Sequence, residues 1–166
     1  RRVLFRSVEM DANYFRESWE SGCFGGFLFA KEVIKTFLLE KTAGTLIFTG
    51  ASASLRGKSN FGAFNSAKGA LRNLAQALAK EYAENSIHVS HVIVDGGLAG
   101  ERIKQRLSDF EERVKEGKLI NIENVTDAYM FLYNQSKDAW TFELDVRTSQ
   151  ENRSEEHTSE LQSPVT

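Results

Sequence analysis

One cysteine, one proline and three histidines are all that the 166 residues contain of those types, and each scarcity excludes something. A lone thiol, Cys23, closes no internal disulfide, so this is no disulfide-stapled scaffold; its spacing marks a small buried residue of a helix. His88 and His91 stand three apart in a β-branched run, which points them to opposite faces, so they form no metal-binding pair and no metal is expected. Charge of one sign is also lacking: 21 Lys and Arg face 23 Asp and Glu, without the basic excess that nucleic acid binding needs. The apolar stretch Cys23–Ala30 is far too short to cross a bilayer, and no secretory signal pattern is visible. The expectation is a soluble protein of a reducing, cytoplasmic compartment, with one domain, no membrane and no nucleic acid partner.

Both ends look foreign. Arg153–Ser163 (RSEEHTSELQS) resembles the in-frame translation of a common sequencing-library adapter, and Arg1–Ser7 (RRVLFRS) is the translation of the opposite strand of that adapter. The chain therefore divides into an adapter-derived extension at 1–7, a domain at 8–152 and an adapter-derived, unpacked tail at 153–166. A disordered polar tail is the alternative at the second end.

Between them the hydrophobic pattern alternates in period. Phe15, Trp19, Cys23, Phe27, Ala30, Ile34, Phe37 and Leu38 mark one face of a long helix over Met10–Leu39, with Asp11 as N-cap. Gly22, Gly25 and Gly26 cost helix propensity there, which predicts the close approach of a strand or second helix. Thr45–Thr49 reads as a strand covered on both faces. Phe64, Ala67, Leu71, Leu74, Leu78 and Tyr82 form the stripe of a second long helix. Ile87–Val94 is another buried strand, broken by Asp95-Gly96-Gly97. Glu101–Gly117 is a charged helical excursion. Ile122–Gln135 is a helix with Asn124 as cap and Ala128, Phe131 and Leu132 inward. Trp140–Arg147 alternates as a half-exposed edge strand. The order predicts an α/β fold with about three parallel strands and flanking helices.

The stretch Gly44–Glu84, an apolar strand, the turn TGASASLRG and a lysine-bearing helix, resembles the catalytic strand and helix of short-chain dehydrogenases/reductases. The resemblance spans roughly Met10 to Arg147. It implies the C-terminal part of a Rossmann-like, doubly wound NAD(P)-binding domain, without the N-terminal half of the sheet. It also implies a parent oxidoreductase with NAD or NADP and a small-molecule substrate, and no cofactor for this fragment alone.

That family's chemistry uses a tyrosine as general acid/base, a serine, a lysine four residues after the tyrosine and an asparagine. Lys68 matches the lysine, but Phe64 stands at the tyrosine, Ala51 at the serine and Gly22 at the asparagine, and the turn after the later strand is Asp95-Gly96. The resemblance thus implies impaired Ser-Tyr-Lys catalysis, with Gly50, Lys68, Asp95, Gly96 and Leu98 toward the cofactor and Ser52 and Phe64 toward substrate. Each assignment has a plainer counterpart. Lys68 is a ribose contact or a surface lysine, and Phe64 a site wall or a substrate contact. Ser52 and Ser54 are replacement hydroxyls or ordinary loop serines. Asp95 is a replacement acid or a turn former. The resemblance also implies a candidate homo-oligomer contact through the 10–39 and 64–84 helices, with intradomain packing as the alternative. A non-catalytic binding or dimerising scaffold is the competing function.

Overall fold

The computed structural model describes residues 5–150; residues 1–4 and the expected adapter tail from 153 onward lie outside them. Within the described part of the N-terminal segment, Phe5 packs edge-on to Tyr14 with ring centroids 5.6 Å apart.

The first long helix is continuous but not uniform. Asp11 caps it as expected, its carboxylate accepting from the backbone N–H of Asn13 and Tyr14. Helix α1 (Ala12–Trp19) then widens into a π turn at Glu20–Phe24 and resumes as α2 (Gly25–Glu40). The glycines explain the irregularity. A Cβ on Gly22 would lie 2.8 Å from the Cβ of Ala67, and one on Gly26 would lie 2.8 Å from Leu71 Cδ1. Close helix–helix contact is what their small size permits. The predicted apolar face is only partly covered. Cys23, Ala30 and Ile34 are buried, whereas Phe15, Trp19, Phe27 and Leu38 remain exposed.

Strand β1 (Gly44–Ala51) runs longer than the predicted Thr45–Thr49. Leu46, Phe48 and Gly50 are buried and alternate with half-buried or exposed Thr45, Ile47 and Thr49. The expectation of two covered faces is thus corrected to one. A 3-10 turn and a loop lead to α3 (Gly62–Tyr82), which starts two residues before Phe64, and then to β2 (Ile87–Asp95), buried at every residue but Val94. Two short helices, α4 (Glu101–Lys104) and α5 (Phe110–Lys115), replace the single excursion expected at 101–117.

Helix α6 (Ile122–Tyr133) is capped by Asn121, not Asn124: the Asn121 side chain accepts from the N–H groups of Glu123 and Asn124. Leu132 is fully buried, but Phe131 is 54% exposed, which corrects its inward assignment. Strand β3 (Glu143–Arg147) is shorter than the expected Trp140–Arg147. Trp140 lies before it, stacked on His88 at 4.8 Å.

The three strands form one parallel sheet in the order β1-β2-β3, with Phe48 beside His91 and His91 beside Glu143. Parallel neighbours require crossovers, and α3 and α6 supply them. Helices α2 and α3 pack on one face around Ala30, Ile34, Leu46, Phe48, Leu71, Ala75, Leu78, Ile87 and Val89. Helix α6 reaches the other face, where Tyr129 Oη and Thr49 Oγ1 are 2.7 Å apart. As predicted, the two histidines part company. His88 lies with Ser90 and Thr141, while His91 lies on the α3 side with Arg72 and Glu143. Among the described residues no cluster could hold a metal ion.

Candidate functional site

Ligands in open α/β sheets bind beyond the carboxyl ends of the strands, and a cleft of about 860 Å³ opens there. Its base is the turn after β1, with Ala51, Ser52 and Ala53; its sides include Phe61, Phe64 and Asn65 from the start of α3. The turn after β2 closes it from the other side, with Asp95, Gly96, Gly97 and Leu98.

Local structure explains why these residues converge. The β1 turn is a short 3-10 turn, Ser52–Ser54, in which Ser54 Oγ accepts from the N–H of Ala51 at 3.2 Å. That bond draws Ser54 into the protein at 8% exposure and leaves Ser52 on the cleft wall. Asn65 Nδ2 donates to the Arg56 carbonyl at 3.1 Å and ties the loop to α3. Gly96 has φ +147°, open to glycine alone at little cost. The following turn is pinned when Ile120 N–H donates to Gly97 O and Ala99 N–H donates to Ile120 O, both at 2.8 Å.

The cleft therefore gathers Ala51, Ser52, Phe64, Asp95, Gly96 and Leu98, and leaves four other candidates off its walls. Gly22 faces Ala67, so the asparagine position is spent on helix packing. Gly50 is buried, and a Cβ there would collide with the His91 imidazole; its role is to admit that ring. Ser54 is turned inward. Lys68 lies one turn beyond Phe64 on α3, and its Nζ donates to the Thr49 carbonyl at 2.8 Å, fastening the helix to the end of β1. Asp95 is 7% exposed and pairs with Arg147 Nη1 at 3.6 Å, so it is held by β3 as well as by its turn.

Neither Ala51 nor Phe64 carries a titratable proton. The walls do include Arg56, Lys58, Arg102 and Arg106, which motif order did not single out. The available signal was the four-residue spacing of Arg102 and Arg106 and the paired cations of the loop after β1. Beneath the cleft, His91 Nδ1 contacts Glu143 Oε2 at 3.0 Å while its Nε2 is buried without a hydrogen-bond partner. Burial pushes the imidazole below its ordinary range despite that carboxylate. The Arg72 guanidinium in turn holds the Glu143 carboxyl below the usual range.

A short-chain dehydrogenase family model, described as enoyl-(acyl carrier protein) reductase, matches residues 4–143. The chain belongs to the short-chain dehydrogenase/reductase family. A short-chain dehydrogenase from Rhodopseudomonas palustris is 36% identical and superposes with a TM-score of 0.68 over 87% of this chain and 57% of that one. A putative 2-deoxy-D-gluconate 3-dehydrogenase from Agrobacterium tumefaciens, with bound NADP, shares the fold at a TM-score of 0.75 and 18% identity, over 87% of this chain and 61% of that one. Among curated proteins, the 2-dehydro-3-deoxy-D-gluconate 5-dehydrogenase of Formosa agariphila is 32% identical over 85 residues, 51% of this chain and 32% of that protein. The chain thus spans about three-fifths of the solved relatives' length. Within this short-chain dehydrogenase fold, the partial Rossmann-like sheet is the expected one. No described helix is long and apolar enough to cross a membrane.

Proposed function

We propose that the chain carries the substrate-side cleft of an NAD(P)-binding short-chain dehydrogenase-like oxidoreductase in which ordinary Ser-Tyr-Lys catalysis is impaired. One observation carries the reading. Phe64 and Ala51 both wall the cleft, at the two positions where the family places its hydroxyls, while Lys68 stays on the same helix one turn away. Without a hydroxyl at those two positions the family's general acid catalysis, which contributes about 10²–10⁴ in rate, is forfeited.

The residues fit one end of a dinucleotide. Lys68, at the end of β1, and the Asp95–Leu98 turn would hold the nicotinamide half, and the bound nicotinamide would supply the hydride. Glycines 22, 25 and 26 sit within the helix and offer no phosphate-cradling turn. In this reading the rest of a Rossmann-like domain, in a longer parent protein, would add strands beside β1, which has a neighbour on one side only among the described residues. The enzymes named for sugar acids among the relatives make a small polar carbonyl compound or alcohol the substrate class to try first.

A scaffold role has its own support. Between α2 and α3 runs an apolar groove of about 630 Å³ lined by Phe27, Ile34, Leu38, Leu74, Leu78 and Tyr82. A second copy packing on these two helices would cover it.

The test of the leading reading is the double substitution Ala51→Ser with Phe64→Tyr in the full-length protein. It should raise NAD(P)H-dependent reduction of small ketones by about 10²-fold or more. No gain, in a variant that still binds cofactor, would contradict descent of this cleft from the family's active site.

A further inference from the structure

The cleft is cationic in a chain whose net charge is −2. Arg56 and Lys58 line it from the loop after β1, and Arg102, in α4, and Arg106, just after it, line it from the opposite rim. The Lys58 ammonium lies 5.7 Å from the ring centroid of Phe61, itself part of the wall. Two acids also line the cleft. Asp95 lies 3.6 Å from Arg147 Nη1 outside the walls, a guanidinium that also binds Asp145, and Glu101 Oε1 accepts from Gln105 Nε2 at 3.3 Å. Among the described lining residues the cations Arg56, Lys58, Arg102 and Arg106 thus outnumber the carboxylates Asp95 and Glu101.

Ala51 and Phe64 offer no hydroxyl, which leaves that of Ser52 alone among the described lining residues. Beside the Ser52 hydroxyl and the Asn65 amide, guanidinium and ammonium groups are the more numerous side-chain donors on the walls. Planar guanidinium forks match the geometry of carboxylate and phosphate, and charge-assisted bonds are about twice as strong as neutral ones. A concave site of one sign also focuses its field on an entering ion.

We propose that the cleft takes a small molecule bearing a carboxylate or phosphate, gripped by Arg102 and Arg106 from one rim and by Lys58 from the other. That the molecule is a substrate rests on the oxidoreductase reading above; that it is an anion rests on the lining alone.

The test is isothermal titration of the full-length protein at low ionic strength with two matched pairs, glucose 6-phosphate against glucose and lactate against propane-1,2-diol. At least one anion should bind saturably and at least about tenfold more tightly than its neutral partner, with the preference shrinking as salt is added. Arg102→Gln with Arg106→Gln should cost about tenfold or more in anion affinity, while Lys80→Gln, on the far end of α3, should cost nothing. Equal binding of acid and neutral partner, or equal losses in the cleft and control variants, would overturn the proposal. ADP-ribose separates the two sources of anionic charge. Displacement of the bound anion by ADP-ribose would assign the cations to the cofactor's phosphates and overturn the substrate assignment; simultaneous binding supports it. Anion binding is read without cofactor, so failure of nicotinamide binding would sink the oxidoreductase reading and leave this one standing.

Discussion

Arg72 holds Glu143 with two parallel bonds, Nε to Oε2 at 2.6 Å and Nη2 to Oε1 at 2.9 Å. The pair fastens the last strand to the central helix, and the same carboxylate oxygen takes His91 Nδ1 at 3.0 Å. Side-chain exposures of 30% and 24% place the pair between a solvated surface bridge and a buried one. Arg72→Met, which leaves Glu143 without its fork, should lower unfolding free energy by about 1–3 kcal/mol in urea titrations. Glu143→Gln keeps part of the bonding and should cost less. Equal stability of all three proteins would mean that the bridge contributes nothing.

The same triad sets a pH dependence. His91 has its folded pKa lowered, mainly by burial, below the ordinary 6.5, and Glu143 has its own lowered below 4.5 mainly by Arg72. In both cases the unfolded chain binds the proton more readily, so stability is full above the unfolded pKa and is lost as pH falls. The His91 share should fade below about pH 6.5 and the Glu143 share below about pH 4.5. Urea midpoints measured from pH 7.5 to 4 should therefore fall with acid, and His91→Gln should flatten the upper part of the curve. An unchanged slope in that variant would assign the dependence to other groups.

Two glycines of the long first helix should answer differently to alanine. At Gly22 the added Cβ meets the Ala67 Cβ at 2.8 Å, an atom that moves only with its backbone. At Gly26 it meets the tip of Leu71, which can change rotamer. Overpacking of about 1–3 kcal/mol should outweigh the gain of about 1 kcal/mol in helix propensity at Gly22. At Gly26 the propensity gain should leave stability equal or raised. Thermal melts of the two variants decide it, and Gly22→Ala together with Ala67→Gly should recover most of the loss.

What the sequence made legible follows from how local each signal is. The periodic stripe of α3 and the β-branched run of β2 depend on near neighbours, and both elements stand within a residue or two of expectation. The glycine cluster signalled a close approach, and the approach is there. Cover on the outer face of β1 and the outward turn of Phe131 depend on what packs from elsewhere, and no local pattern contains that. The cap of α6 was misassigned because Asn121 and Asn124 are chemically equal and only the extended backbone at Asn121 makes it the cap. At the cleft, motif spacing located Ala51, Phe64 and the Asp95–Leu98 turn. The cations escaped because Arg56 and Arg102 come together only when β1 and β2 lie side by side.

The smaller apolar pocket between Leu98 and α6 bears on the same turn. It is lined by Leu98, Ile122, Val125, Thr126 and Tyr129, and Leu98 and Ile122 also line the main cleft. Filling it should move the Leu98 turn and, through it, the cleft. Thr126→Leu is expected to alter ligand affinity in the cleft with little effect on the urea midpoint; a change in stability alone would detach the pocket from the site.

The central claim is that a nicotinamide site survives here around Lys68 although its proton donors are gone. Fluorescence titration of the full-length protein with NADH and with NADPH, beside the Lys68→Met variant, tests it most directly. The account predicts saturable binding of at least one nucleotide, weakened about tenfold or more when the Lys68 ammonium is removed. No binding of either nucleotide, or binding indifferent to Lys68, would contradict it.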